Sequence, residues 1–233
     1  MKSIGFIFAR SGSKGIPDKN IKLFGDKPLI AWSIQCALSV ERIDQVIVST
    51  DSAEIADIAR EYGADTPFLR PGELATDESP EWLSWCHGLN YIKEIFGYLP
   101  DAFVSVPATA PLRKPEDIER CLDEYAKGNS DVVITVTEAH RNPHFNMVKQ
   151  NENGNFDLVM GSQLASTRRQ DAPQVYDMTT ICYVANPHFV LGHKSIFDGR
   201  VSAVQIPKER AIDIDTPFDF QIAELLLDLK KEI

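Results

Sequence analysis

Residues 3–20 read SIGFIFARSGSKGIPDKN, and this stretch decides the fold. Residues 3–9 are almost continuously apolar, which is typical of a strand that is buried on both faces of a parallel sheet. The apolar run stops at Arg10, and a basic turn with two glycines follows it. Ligands of open α/β sheets bind outside the carboxyl ends of the strands. The sequence therefore predicts an α/β protein with a ligand site at residues 10–20.

Short apolar runs alternate with helical patterns along most of the chain, which is typical of βαβ units on a mostly parallel sheet. Asp51 is predicted to cap the helix that follows the second strand. Further strands are predicted at 45–49, 101–106 and 131–136, and helices at 28–39, 53–62, 81–96, from Pro115 and from Pro217.

The segment from about residue 138 to 185 interrupts this alternation, because it is rich in asparagine and lacks a helical period. The Asn153-Gly154 pair predicts a hairpin turn within it. We interpret the segment as an insertion in a single domain that spans residues 1–233. Two readings stay open, a substrate lid or dimer arm on one side and a surface hairpin without function on the other.

Composition excludes several classes of protein. The chain has 233 residues and a formal net charge of −10, which argues against nucleic acid as a main partner. No apolar run reaches the length of about 18 residues that a membrane span needs, and the start of the chain is a poor signal peptide. The four cysteines form no C-x-x-C pair. Together these features predict a cytoplasmic enzyme that binds no membrane. Its four cysteines are then expected to be reduced thiols, namely Cys36, Cys86, Cys121 and Cys182.

The basic turn is a candidate phosphate site. Its glycines let backbone N–H groups approach a phosphate closely, and its side chains add positive charges and hydroxyl donors. The turn matches neither the P-loop nor the dinucleotide-binding pattern, so it is a phosphate cradle of another kind. The alternative is a flexible loop with solvated charges. The predicted contacts are Arg10, Ser11, Gly12, Ser13, Lys14 and Lys19.

Two aspartates near the end of the chain, Asp213 and Asp215, form a candidate metal site. Residues two apart in an extended segment point the same way. Their carboxylates can therefore share Mg²⁺, which prefers oxygen ligands and often bridges substrate phosphates. The alternative is a pair of solvated carboxylates before a helix N-terminus, where the helix dipole favours anions.

Residues 9–20 resemble the signature loop of the acylneuraminate cytidylyltransferases, the CMP-sialic acid synthetases. The resemblance covers almost the whole chain, and the further motifs follow in the order of that family. They are residues 48–51 (VSTD), 68–71 (FLRP), 111–113 (PLR), 169–170 (RQ) and 212–216 (IDIDT).

The resemblance implies a Rossmann-like nucleotidyltransferase fold of the nucleotide-diphospho-sugar transferase type. It also implies a homodimer that exchanges the insertion. The implied reaction is the Mg²⁺-dependent transfer of CMP from CTP to a nine-carbon 2-keto sugar acid, with release of pyrophosphate.

The same resemblance assigns residues to roles. Arg10, Ser13 and Lys19 are expected at the triphosphate, and Asn20 and Arg70 at the cytosine and ribose. Arg10, Lys19 and Asp215 are expected to be catalytic, with Asp215 as a hypothetical proton acceptor. The remaining assignments are Asp213 and Asp215 for the metal, and Arg169 and Tyr183 for the sugar.

Two stretches depart from the sialic acid pattern. Residues 106–113 (VPATAPLR) lack the glutamine that the family places at the sugar, and residues 177–180 (DMTT) stand where an Arg-Pro-Asn-Gly run is usual. Both lie on the sugar side, so legionaminic, pseudaminic or another 2-keto-3-deoxy sugar acid is an open alternative. A metal-dependent glycosyltransferase of related fold and a non-catalytic nucleotide-binding regulator are the rival functions.

Overall fold

The computed structural model describes residues 1–160 and 168–231. Part of the predicted insertion, residues 161–167, lies outside the described residues. Within the described part of the chain, no helix combines the length and the apolar character that crossing a membrane requires.

A six-stranded sheet forms the centre of the described structure. All described strands, in chain order, are β1 (Ser3–Phe8), β2 (Leu23–Phe24), β3 (Lys27–Pro28), β4 (Gln45–Ser49), β5 (Ala102–Ser105), β6 (Val132–Glu138), β7 (Val148–Gln150), β8 (Phe156–Leu158), β9 (Tyr176–Ala185) and β10 (Val201–Gln205). Two pairs of strands, β2 with β3 and β7 with β8, form separate two-stranded sheets. The order in the six-stranded sheet is β10-β6-β9-β5-β1-β4. Strand β1 pairs in parallel with β4 and β5, and β10 pairs in parallel with β6. The prediction of an α/β fold with a mostly parallel sheet is confirmed.

Helices cover both faces of this sheet. They are α1 (Leu29–Leu38), α2 (Ala53–Glu61), α3 (Glu81–Phe96), α4 (Pro115–Ala126), α5 (Pro187–Gly192) and α6 (Pro217–Lys231). Successive side chains of a strand point to opposite faces, and β1 shows the result. Ile7 belongs to a core that includes Ile30 of α1 and Leu122 of α4, whereas Phe6 packs in a second core with Leu89 of α3.

The predicted insertion at about 138–185 is wrong at its end, because β9 lies inside the central sheet. It runs antiparallel between β5 and β6. The first three residues of β9 are exposed, whereas residues 181–185 are all buried. The strand therefore has no regular alternation of apolar and polar residues along its whole length. The described residues of the segment that lie outside the sheet are 139–160 and 168–175. They contain the predicted hairpin, in which β7 and β8 pair in antiparallel around Gly154, whose φ is +81°.

The predicted cap of α2 is also wrong. Ser52, not Asp51, is the N-cap, and its hydroxyl accepts a hydrogen bond from the backbone N–H of Ile55 at 3.3 Å. Asp51 accepts two hydrogen bonds from Ser11 instead. The carboxylate that follows β4 is thus bound to the turn that follows β1.

Candidate active site

A cavity of about 440 Å³ opens beside the carboxyl end of β1. Seven of the residues that were predicted to bind nucleotide or metal line it together. They are Arg10, Ser13, Lys14, Lys19, Asn20, Arg70 and Asp215. Residues from the two ends of the chain therefore meet in one cavity.

Lys19 joins the basic turn directly to the aspartate pair. Its Nζ donates to the backbone carbonyl of Ile214 at 2.5 Å and lies 3.1 Å from Oδ1 of Asp215. The two motifs are separated by 195 residues in the chain. The Lys19 side chain is 11% exposed and that of Asp215 is 71% exposed. The cation is thus held within the cavity wall while the carboxylate remains open to the cavity and solvent.

Gly15 permits this close approach. A Cβ atom at residue 15 would lie 2.1 Å from the backbone carbonyl oxygen of Asp215. Any larger residue at this position would force the turn and the aspartate segment apart. The glycine is needed for the approach of two backbone segments rather than for an unusual φ angle.

We expect Gly15→Ala to lower kcat/KM by about 10²-fold, since a displacement of about 1 Å of catalytic groups has that effect. Gly192→Ala is the matched control, because a Cβ there meets no atom within 4 Å. Steady-state rates and the thermal midpoints of both variants check this. Equal activity of Gly15→Ala and Gly192→Ala would contradict the need for close contact between the two segments.

The cradle is shaped by buried polar contacts within the turn. Asn20 is buried, and its side-chain amide donates to the backbone carbonyl of Arg10 at 3.0 Å. The φ angle of Gly12 is +66°, and its carbonyl accepts from Arg10 at 3.3 Å. Asn20 and Gly12 therefore hold the guanidinium-bearing residue in position.

Ser11 faces away from the cavity, although the sequence suggested it as a phosphate contact. Its backbone N–H and its hydroxyl donate to the Asp51 carboxylate at 2.8 and 2.5 Å. Burial raises the pKa of Asp51, but these hydrogen bonds outweigh burial and bring the pKa below its usual value. Ser11 and Gly12 are absent from the cavity lining, so they support the turn from behind.

Asp213 has the character of a metal ligand. Its Oδ1 is buried and has no hydrogen-bond partner among the described residues. Burial raises the pKa of its carboxyl, and the neighbouring charge of Asp215 raises it further. A cation between the two carboxylates would remove both penalties.

The donor set fits Mg²⁺. The described residues contain no group of three or more His, Cys, Asp or Glu side chains that could hold a metal ion. The protein would supply the carboxylates of Asp213 and Asp215. Mg²⁺ is commonly bound in this way, by one or two carboxylates together with substrate phosphates and water.

The lining of the cavity also includes Arg70 and Glu81. Arg70 is buried, and its Nη1 donates to the Ser84 hydroxyl at 3.2 Å. Glu81, the first residue of α3, accepts a hydrogen bond from the Trp85 indole at 2.9 Å. Packing around its carboxyl raises the pKa of Glu81, and Asp213 adds to this. No motif marked Glu81 in the sequence.

Asp77 is a second residue that sequence reasoning missed. Its carboxylate bonds to Arg10 and also lies 2.7 Å from Nζ of Lys14. These contacts lower the pKa of Asp77, with the bond to Lys14 as the largest cause. The only available signal was its position shortly after Arg70, which by itself predicts no contact.

The two residues assigned to the sugar do not line this cavity. Arg169 is exposed, and its Nη2 donates to the His140 carbonyl at 3.3 Å beside a separate cavity of about 390 Å³. Tyr183 is a core residue of β9 with 7% exposure, and its ring lies 5.5 Å from that of Trp85. Within one chain, neither residue joins the nucleotide-binding groups.

Comparison with solved structures identifies the fold. The structure of CMP:2-keto-3-deoxy-manno-octonic acid synthetase complexed with CTP matches with a TM-score of 0.73 at 16% sequence identity, over 99% of this chain and 100% of that one. The fold is that of the nucleotidyltransferases, and the basic turn and Asp215 line one cavity. Within this class, the chain matches the cytidylyltransferase family model over residues 4–232 and belongs to that family. It is a nucleotidyltransferase enzyme.

Curated relatives support the assignment. The chain is 34% identical over 224 residues to CMP-N,N'-diacetyllegionaminic acid synthase of Campylobacter jejuni, covering 96% of this chain and 94% of the relative. It is 32% identical over 224 residues to N-acylneuraminate cytidylyltransferase of Streptococcus agalactiae serotype V. The second match covers 94% of this chain and 52% of the relative.

Proposed function

We propose that the protein transfers CMP from CTP to the anomeric hydroxyl of a 2-keto-3-deoxy sugar acid and releases pyrophosphate, with Mg²⁺ as cofactor. The contact of Lys19 with Ile214 and Asp215 is the observation that carries this proposal. It holds the basic turn against the segment that carries Asp213 and Asp215, which supports a single binding site for both. A non-catalytic regulator fits less well, because a protein that only binds nucleotide does not need this full set of charges.

The chain's own groups account for most of the catalysis that nucleotidyl transfer requires, namely positioning and charge neutralisation. The side chains of Arg10, Lys14 and Lys19 bind the triphosphate and stabilise the negative charge of the departing pyrophosphate. Arg70 lines the same cavity, and we assign it to the nucleoside. Asp213 and Asp215 would hold Mg²⁺, which would supply Lewis-acid stabilisation of charge on the phosphoryl group.

The anomeric hydroxyl must lose its proton as it attacks the α-phosphorus. Asp215 is our candidate acceptor, because its carboxylate is 71% exposed and lines the cavity. Nζ of Lys19 lies 3.1 Å from Oδ1 of Asp215 and holds this carboxylate beside the basic turn.

The substrate class follows from the relatives, whose names include legionaminic acid and N-acylneuraminate enzymes. Residues 106–113 and 177–180 depart from the sialic acid pattern. We therefore propose a nine-carbon sugar acid of this class, and the test includes legionaminic and pseudaminic acids beside N-acetylneuraminic acid. A cytoplasmic location accords with CTP as substrate and with the four cysteines, which are free thiols.

Turnover with defined substrates tests the function. The protein is incubated with CTP, Mg²⁺ and each sugar acid, and both pyrophosphate and the CMP-sugar are measured. We expect pyrophosphate release with CTP and at least one of these acids, and little with UTP. Release of a nucleoside diphosphate from a nucleotide sugar would favour the glycosyltransferase. Binding of CTP without turnover on any of the acids would favour the regulator.

We further propose a homodimer in which residues 139–160 and 168–175 contribute to the arm. Met147, Val148, Phe156 and Met160 are large apolar side chains of this segment that are between 40% and 66% exposed. Burial of such side chains against a second copy would stabilise the dimer. The arm carries Arg169, which one chain alone does not bring to its own cavity.

Mixing two inactive variants tests the dimer and its shared site. Arg169→Ala and Asp213→Asn are expected to be inactive alone. Each mixed dimer has one site that contains both native residues, and random pairing makes half of the dimers mixed. The mixture therefore regains up to about one quarter of wild-type activity. A monomeric mass near 26.1 kDa in light scattering, or no recovery after co-expression, would contradict the shared site.

A further inference from the structure

Asp77 occupies the position of an anion between the two outer cations of the basic turn. Its Oδ1 bonds to Nη2 of Arg10, and its Oδ2 lies 2.7 Å from Nζ of Lys14. Among the described residues, neither Arg10 nor Lys14 has another carboxylate partner. One carboxylate therefore contacts both of the cations that our proposed function assigns to the triphosphate.

The groups that hold Asp77 are those that would hold a phosphate. A carboxylate and a phosphate oxygen accept the same charge-assisted hydrogen bonds from guanidinium and ammonium groups. Each N–H serves one acceptor at a time, so the Asp77 carboxylate and a phosphate oxygen compete for the donors that Asp77 uses. Binding of the CTP phosphates to those donors displaces the Asp77 carboxylate from them.

The loop around Asp77 is anchored on both sides of the contact. The Ser84 hydroxyl donates to the carbonyl of Leu74 at 3.3 Å, and the backbone N–H of Ser79 donates to the Thr76 hydroxyl at 3.1 Å. The Asp77 side chain is 34% exposed, so water can solvate the carboxylate once it leaves the cations. The exchange requires movement of this side chain and leaves the anchors in place.

We propose that Asp77 is a positioning residue that competes with phosphate for Arg10 and Lys14. In the free enzyme it holds both side chains toward the cavity. It gives way when the triphosphate binds and returns to the cations as pyrophosphate leaves. This inference rests on the proposed function, because it assumes that Arg10 and Lys14 bind the phosphates of CTP.

Removal of the competing charge should tighten phosphate binding. Asp77→Asn keeps the size of the side chain and removes its charge, so the cations are free for the ligand. We expect the Kd of pyrophosphate to fall by about three- to tenfold, the range for loss of two partly exposed ion pairs. The inhibition constant of pyrophosphate in the CTP reaction should fall by the same factor.

Calorimetric titration of the full chain with pyrophosphate measures this, first with a chelator and then with Mg²⁺. Glu78→Gln is the matched control, since Glu78 is an exposed neighbour that forms no ion pair among the described residues. Its Kd should equal that of the wild type. Asp77→Ser provides a second uncharged variant should Asp77→Asn fail to fold.

A double-mutant cycle with Lys14→Met separates competition from a general change of charge. In the Lys14→Met background one of the shared cations is gone, so Asp77→Asn should tighten binding by a smaller factor than in the wild type. An equal factor in both backgrounds would overturn the proposal. So would an unchanged or higher Kd of Asp77→Asn, or a higher Mg²⁺ requirement, which would make Asp77 a metal ligand.

The proposed function fails in a different way. If the wild-type protein binds neither pyrophosphate nor CTP, the cradle assignment is wrong and the role of Asp77 falls with it. If the wild type binds and turns over CTP while Asp77→Asn behaves like Glu78→Gln, only the competition is wrong.

Discussion

Asp213→Asn lowers kcat by about 10³-fold at saturating CTP and sugar acid. The substitution preserves shape but removes the charge from a carboxylate whose Oδ1 is buried without a hydrogen-bond partner. Metal stabilisation of a phosphoryl oxygen contributes several kcal/mol to the barrier, and about 1.4 kcal/mol corresponds to a factor of ten in rate. Because the site then has only the carboxylate of Asp215, we expect the loss to persist at high Mg²⁺ concentration.

Pyrophosphate release as a function of Mg²⁺ concentration provides the measurement. Asp26→Asn makes the same chemical change at an exposed position in the turn between β2 and β3, and its kcat should stay within about twofold of wild type. A wild-type rate that survives chelation of Mg²⁺, or an Asp213→Asn variant within threefold of wild type, would show that Asp213 holds no catalytic metal.

Lys19→Met has the second-largest expected effect, a loss of about 10²- to 10³-fold in kcat. This is the range for removal of one preorganised donor that stabilises charge in a transition state. We assign two roles to Lys19, phosphate binding and support of the aspartate segment. Its side chain is only 11% exposed, and its Nζ bonds to Ile214 and Asp215. Its loss removes a phosphate-binding charge and loosens the segment that carries both carboxylates.

Steady-state kinetics with Lys208→Met as the control check this expectation. Lys208 is exposed in the short turn before residue 211, so loss of its charge should change kcat by less than about twofold. A kcat of Lys19→Met equal to that of Lys208→Met would remove Lys19 from the catalytic groups. Unfolding curves of both variants distinguish loss of catalysis from loss of structure.

The sequence was sufficient to single out the two segments that the structure brings into contact. The apolar strand at residues 3–9 fixes where β1 ends, and topology brings the polar turn after it to the binding edge of the sheet. The same argument cannot place residues 213–215, which follow no predicted strand closely. Their contact with the turn depends on Gly15 and Lys19, and only the structure reveals it.

Other features were hidden because they depend on tertiary partners rather than on local pattern. Aspartate is a residue type that often caps helices, and Asp51 precedes α2. Its carboxylate instead accepts a hydrogen bond from the hydroxyl of Ser11, 40 residues earlier in the chain. Strand β9 changes from exposed to buried along its length, so no single period describes it. Asp77 lies in a loop whose sequence does not indicate the cations that it meets.

The resemblance added what the residues alone could not, the reaction and the nucleotide. Membership of the cytidylyltransferase family is shown over residues 4–232. The positions of Arg169 and Tyr183 do not follow simply from the resemblance. Arg169 lies beside another cavity, and Tyr183 packs in the core.

Crystallisation of the protein with CTP and Mg²⁺ is the most direct test of whether one magnesium nucleotide binds to both the basic turn and the aspartate pair. We predict the triphosphate within hydrogen-bond distance of Arg10 and Lys19, the metal on the carboxylates of Asp213 and Asp215, and the Asp77 carboxylate displaced from Arg10. A nucleotide whose phosphates contact only one of the two segments, or a metal bound away from the aspartates, would contradict the account.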